Sequence, residues 1–139
     1  MIDLAVKLDG FVARAAAWQN TAAKIVVRNQ PVDLPKWVQS HFSRGWRSQV
    51  VNASLFNKVL SAMDLNGYVV GFACYDVPRL GYFGPLGVAE SMRGHGIGVG
   101  LTIAALAEME KAGYGFAMIH HVGPVEFYAK FLKFTLVKT

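Results

Sequence analysis

Leu86-Gly87-Val88-Ala89-Glu90-Ser91-Met92-Arg93-Gly94-His95-Gly96-Ile97-Gly98-Val99-Gly100 is the most informative stretch of this chain. A β-rich run leads into it and an apolar, helix-forming run leaves it. Glycines at four alternate positions, 94, 96, 98 and 100, let the backbone approach another group closely. Several N–H groups then point into one concavity, beside the positive end of the helix that begins there. Such a loop cradles a pyrophosphate, and Arg93 and His95 are placed to add charge-assisted contacts. Two other phosphate loops fail on sequence. A P-loop needs Lys-Ser/Thr after its last glycine, whereas Val99-Gly100 stands here. A dinucleotide fold needs the loop after the first strand of a parallel unit, and this one comes late, after a hairpin.

Upstream, Leu80–Val88 reads as a strand, with a bulge or a splayed partner expected at Pro85. Tyr68–Asp76 and Leu55–Met63 form a hairpin across Asp64-Leu65-Asn66-Gly67. Asp33 is a good N-cap for a helix reaching about Phe42, with a second short helix around Ser48–Ser54. Lys24–Arg28 is a β-branched first strand. Leu4, Leu8, Phe11, Ala15 and Trp18 recur at three- and four-residue steps, which predicts an N-terminal amphipathic helix weakened by Gly10. Downstream, a helix over Leu101–Ala112 ends at Gly113. A strand over Tyr114–His120, a short helix over Pro124–Phe131 and a last strand over Thr135–Thr139 complete a mixed α/β order.

The chain has 139 residues, 53% hydrophobic and 17% charged, which fits one folded domain and excludes a disordered chain. The longest uncharged run, near Gly96–Ala107, is too short to cross a bilayer. Asp3 and Asp9 interrupt any apolar leader. Cys74 is a single cysteine and is read as a buried thiol. A cytoplasmic protein is therefore expected, with no membrane partner. The net charge of +5 comes from scattered basic residues without an RNA-binding aromatic pattern, so nucleic acid is not expected as a partner. A positive field suits a small polyanion.

The glycine stretch resembles the coenzyme A signature of the GCN5-related N-acetyltransferases (GNAT), Arg/Gln-x-x-Gly-x-Gly/Ala, matched by Arg93, Gly96 and Gly98. Leu86-Gly87-Val88 stands where that family's cofactor strand ends. Val125-Glu126-Phe127-Tyr128-Ala129-Lys130 resembles the Phe-Tyr segment of its last helix. Gly71–Asp76 has the look of its central hairpin.

The resemblance implies an α/β fold: one acyl-CoA-binding domain on a central, mostly antiparallel sheet, splayed at the cofactor slot, with helices on both faces. Residues 24–139 would form this domain and residues 1–23 a helical extension. Acetyl-CoA would be the cofactor. Leu86, Gly87 and Val88 would meet its pantetheine arm. Backbone groups of Arg93, Gly94, His95, Gly96, Ile97, Gly98 and Gly100 would hold its pyrophosphate. Tyr128 would stand near the thioester as general acid. The expected reaction is N-acetyl transfer to a primary amine of a small molecule or protein, by direct attack in a ternary complex. The alternative is a non-catalytic acetyl-CoA-binding module that regulates a partner.

The base is the open position. An alkylamine has a pKa near ~10, so its proton must be taken. Relatives often place a Glu on the cofactor strand, but Tyr82–Val88 carries no carboxylate. Asp76, His120, His121 and Glu90 are the candidates, with turn, strand-end and loop-flanking roles as their structural counterparts; His41 is read as structural. Relatives also finish with two strands where this chain has room for one. That would leave an open edge, to be covered by a partner subunit, making a homodimer, or by the N-terminal helix. Acceptor specificity is expected in Pro31–Asn57, with Trp37, Arg44, Trp46 and Arg47, and in Asp76–Gly81.

Overall fold

A computed structural model describes residues 2–120 and 125–138. Its elements are β1 (Ile2–Lys7), α1 (Phe11–Ala17), β2 (Ala23–Val26), α2 (Leu34–His41), α3 (Arg44–Ser54), β3 (Val59–Asp64), β4 (Val69–Tyr75), β5 (Tyr82–Val88), α4 (Ile97–Lys111), β6 (Phe116–Ile119), α5 (Val125–Ala129) and β7 (Thr135–Lys138). The seven strands form one sheet in the order β2-β3-β4-β5-β6-β1-β7. Every neighbouring pair is antiparallel except β5 and β6. The mixed α/β architecture expected from the sequence is therefore the one found.

Two apolar layers hold helices to the sheet. On one face Leu34, Val38, Val50 and Ala53 of α2 and α3 pack on Val59, Phe72 and Cys74. On the other, Phe11 of α1 and Ile97, Leu101, Leu106 and Met109 of α4 pack on Leu4, Val6, Ala73 and Ile119, with Tyr128 of α5. Alternation along each strand supplies both faces. Asp33 stands at the start of α2 without a side-chain capping bond. Ser43 caps α3 by accepting from the Trp46 N–H.

The N-terminus departs from expectation. The helix predicted from Leu4 to Trp18 is a strand to Lys7 followed by a helix confined to Phe11–Ala17. Residues 1–23 are thus not a helical extension, because β1 lies inside the sheet, paired with β6 and β7. Leu4 and Leu8, four apart, satisfy a period of two as well as one of 3.6, and Val6 between them is also buried. Gly10, at φ 80°, turns the chain into α1. The Glu110 carboxylate of α4 then accepts from the Phe11 and Val12 N–H groups at 2.8 and 3.2 Å, capping α1 from a neighbouring helix.

This strand lies between β6 and β7, so the edges of the sheet are β2 and β7. Among the described residues, no helix is long and apolar enough to cross a membrane.

Candidate active site

The ladder between β4 and β5 slips where Pro85 stands: Ala73 faces Leu86, but Tyr75 faces Phe83. The bulge expected at Pro85 is thus present, with Gly84 at φ 123°. On its other side β5 meets β6, among the described residues, at two positions, Tyr82 with Met118 and Phe83 with Ile119. Among the described residues, no strand pairs with that side of β5 beyond Phe83. The Ala89 N–H donates to the Val70 carbonyl at 2.8 Å. Antiparallel alternation then turns the backbone groups of Gly87 toward β4 and those of Leu86 and Val88 toward the gap. The edge of β5 onto which the Leu86 and Val88 peptide groups turn lines a slot between β5 and β6.

The glycine loop lies at the end of this slot. A short 3-10 turn, Glu90–Met92, leads into it, and Gly94 and Gly96 take φ 84° and 79°. Side chains rarely adopt that conformation. Among the described residues, the backbone N–H groups of residues 94–99 donate no hydrogen bond. Six consecutive donors at the N-terminus of a 15-residue helix form a ready anion site. Arg93 flanks them, its Nε 3.4 Å from the Val88 carbonyl. Ile97 contributes only its N–H, since its side chain is buried in the core. A Cβ on Gly98 would lie 3.1 Å from Phe127 and 3.7 Å from Val88. The loop, the end of β5 and α5 therefore converge at Gly98.

Two of the glycines expected at the cofactor, Gly100 in the loop and Gly87 on the strand, also pack closely on aromatic rings. The Gly100 N–H donates to the Gly96 carbonyl at 3.1 Å inside the helix, and the missing side chain leaves room for the Trp18 indole. Gly87 faces β4, and a Cβ there would stand 2.5 Å from Phe42 and 2.9 Å from Phe72. Both are glycines because aromatic rings occupy the space, a cause that local sequence does not display.

Tyr128 on α5 is 7% exposed, with Phe127 edge-on at a centroid distance of 4.9 Å. Its hydroxyl makes no hydrogen bond within the described residues, and burial pushes its pKa up to about 12. It therefore stays protonated at neutral pH, as a proton donor must.

Asp76 does not fit the role of base. Its carboxylate accepts from Lys58 Nζ at 2.9 Å, the Tyr114 hydroxyl at 2.8 Å and the Gly81 N–H at 2.7 Å. It sits before β5 begins, at the paired end of the strand, and its side chain is only 4% exposed. It holds the β4–β5 turn. Its hydrogen bond is the first cause of a raised Lys58 pKa and a raised Tyr114 pKa. Cys74 is buried, and desolvation pushes its thiol pKa upward, as an inert core cysteine requires. His41 stacks on Trp37 at 4.3 Å and bonds its carbonyl. Glu90 lies in the exposed 3-10 turn.

His120 is the first residue past the point where β5 and β6 separate. Its ring lies edge to face with Tyr82, centroids 5.3 Å apart, and its Nδ1 is 3.0 Å from Asp3 Oδ1. Asp3 was not singled out in the sequence, because a strand had first to carry it there. His121 and the expected helix start at Pro124 lie outside the described residues.

A sheet opened between two parallel strands, with a helix N-terminus at the mouth of the opening, is the splayed arrangement that the GNAT resemblance implies. Residues 28–134 match the model of the acetyltransferase (GNAT) family, and the chain belongs to that family. A search of curated proteins gave no significant match. Among solved structures, the chain is similar to a GCN5-related glucosamine N-acetyltransferase region in a fungal multi-domain GH3 β-N-acetylglucosaminidase, at 20% identity and a TM-score of 0.71. That match covers 98% of this chain and 20% of the other. It is also similar to a GCN5-related N-acetyltransferase from Sphaerobacter thermophilus, at 18% identity and a TM-score of 0.66, covering 98% of this chain and 49% of that one. A GNAT family N-acetyltransferase of Escherichia coli, solved in complex with CoA, matches at 23% identity and a TM-score of 0.54, over 70% of this chain and 62% of its own. The chain thus spans less than two thirds of each of these relatives, and the likeness is one of fold.

Proposed function

We propose that this domain binds acetyl-CoA in the slot between β5 and β6 and transfers the acetyl group to a primary amine of a small molecule or protein. The observation that carries this reading is the run of six unbonded N–H groups at residues 94–99, placed at the end of the open edge of β5. These donors, with Arg93, suit a pyrophosphate, and the exposed peptide groups of Leu86 and Val88 suit an amide-bearing arm. Gly87 and Gly100 support the site by close packing.

Bound acetyl-CoA would supply the acyl thioester. His120 Nε2 would take the proton of the attacking amine as the N–C bond forms. Tyr128 would give its hydroxyl proton to the sulfur as the C–S bond breaks. The N–H groups of Leu86 and Val88 face the slot and would stabilise charge developing on the carbonyl oxygen. The two proton-handling groups lie on opposite faces of the sheet. Tyr128 belongs to the α4 layer, while Leu4 and Ile119 occupy that same layer and so turn Asp3 and His120 to the other face. This disposition favours direct transfer, with cofactor and acceptor entering from opposite sides.

A thermal melt with and without acetyl-CoA, repeated on Gly96→Asp, tests the site. Ligand at ~100 times its dissociation constant stabilises by roughly 2.7 kcal/mol. For a chain of this size that is on the order of ten degrees. The shift should vanish in the variant, whose carboxylate would repel the phosphates. No shift in the parent at saturating cofactor would sink the assignment. Turnover on an amine panel, lost in Tyr128→Phe, separates an enzyme from a binding module.

A further inference from the structure

We propose that Asp3, carried into the sheet by the N-terminal strand, is the positioning residue that makes His120 a base, so that the proton acceptor is assembled only when β1 is docked. This rests on the acetyl-transfer reading above. The register fixes the pair. Leu4 faces Ile119 in the antiparallel ladder, so the preceding Asp3 falls opposite the following His120, with both side chains on one face. The Asp3 side chain is 1% exposed. A carboxylate is costly to bury without a partner that uses its charge, and no sheet position requires one. Its Oδ1 stands 3.0 Å from His120 Nδ1. A carboxylate at that atom accepts the Nδ1–H and so fixes the tautomer, leaving the lone pair on Nε2.

The place of the pair is equally specific. His120 directly follows the last β5–β6 pairing, at the point where the slot begins, and its side chain is 34% exposed against 1% for Asp3. The buried member orients and the accessible member meets the acceptor. Tyr82, edge to face with the imidazole, braces the ring from β5. A simple staple between β1 and β6 would serve with the histidine tautomer either way, and would have no reason to stand where β5 and β6 part.

Side-chain nitrogen NMR on labelled protein, at a pH where the imidazole is neutral, reads the tautomer directly. The parent should show His120 with Nδ1 protonated, and Asp3→Asn should shift population toward the Nε2–H form, because the amide can donate to Nδ1. In the same variant kcat should fall on the order of 100-fold or more, as wrong-tautomer variants of other histidine bases do. The acetyl-CoA melting shift and the KM for acetyl-CoA should hold, and Asp3→Glu should recover part of the rate. An Nε2–H tautomer in the parent overturns the proposal without any variant. So does an active parent whose Asp3→Asn variant keeps its turnover and loses only thermal stability. A parent that binds acetyl-CoA but acetylates no amine defeats the transfer reading itself, and this proposal with it.

Discussion

The Asn20 side-chain amide donates to the His95 carbonyl at 2.5 Å, joining two residues 75 apart in sequence. Its other end, Oδ1, accepts from the Ala22 and Ala23 N–H groups at 2.8 and 3.2 Å. One side chain therefore ties the entry of β2 to the back of the glycine loop. By holding the carbonyl of residue 95, it helps turn the following N–H groups toward the anion site. Asn20→Ala should lower stability by about 1–2 kcal/mol and weaken acetyl-CoA binding. Asn20→Asp keeps the acceptor for Ala22 and Ala23 but loses the donor to His95. It should retain more of the stability while still losing affinity. Calorimetric titration alongside denaturant unfolding would separate the two, and unchanged affinity in both variants would remove Asn20 from the site.

Trp18 lies in the space where Gly100 lacks a side chain. Gly100→Ala should therefore destabilise by about 1–3 kcal/mol, the usual range for overpacking. Trp18→Ala opens a cavity, and the double variant should cost clearly less than the sum, since each change relieves the other. Urea unfolding of the three proteins measures this. Acetyl-CoA affinity should be nearly unchanged in Gly100→Ala, because the N–H of residue 100 is already committed within α4. A large loss of affinity with intact stability would return Gly100 to the cofactor set.

The loop, the hairpin, the Pro85 bulge and the helix after the glycines were legible because each rests on local chemistry: positive φ, a missing donor, an apolar period. The strand at the N-terminus was not. Leu4 and Leu8 fit two periods at once, and what decides between them is pairing with β6 and β7, more than a hundred residues away. Asp3 followed the same fate, since nothing near it in sequence says that His120 will stand opposite. Asp76 could be a turn residue or a base by sequence, and only the convergence of Lys58, Tyr114 and Gly81 decides for the turn.

That convergence makes Asp76 a stability residue. Asp76→Asn removes the charge that Lys58 and Tyr114 share and should lower stability by about 2–4 kcal/mol, given a nearly buried carboxylate with a partly exposed lysine. The salt-bridge part has a defined pH window. Lys58 has a raised pKa in the folded protein, so its contribution is full below the unfolded value of 10.5 and is lost as pH rises through the folded value. Denaturant midpoints across alkaline pH should fall less steeply in the variant. Turnover per folded molecule should be retained, and a selective loss of kcat would restore Asp76 as a catalytic candidate.

Tyr128 combines both kinds of evidence. Burial raises its pKa from 10.0 to about 12, so the folded protein holds the phenolic proton more tightly than the unfolded chain. Below pH 10 both states are protonated and this residue adds no pH dependence. Between about 10 and 12 the unfolded state ionises first, and stability falls by roughly 1.4 kcal/mol per pH unit from this group. Tyr128→Phe should flatten that part of the profile, while Cys74, Tyr75 and Tyr114, whose pKa values are also raised, continue to contribute in both proteins. At neutral pH the same variant should keep its fold and its acetyl-CoA melting shift, and kcat should fall about 100-fold or more, the range of a lost general acid. Full turnover in Tyr128→Phe, with the alkaline profile flattened as expected, would leave Tyr128 a core aromatic and require the leaving sulfur to take its proton from water.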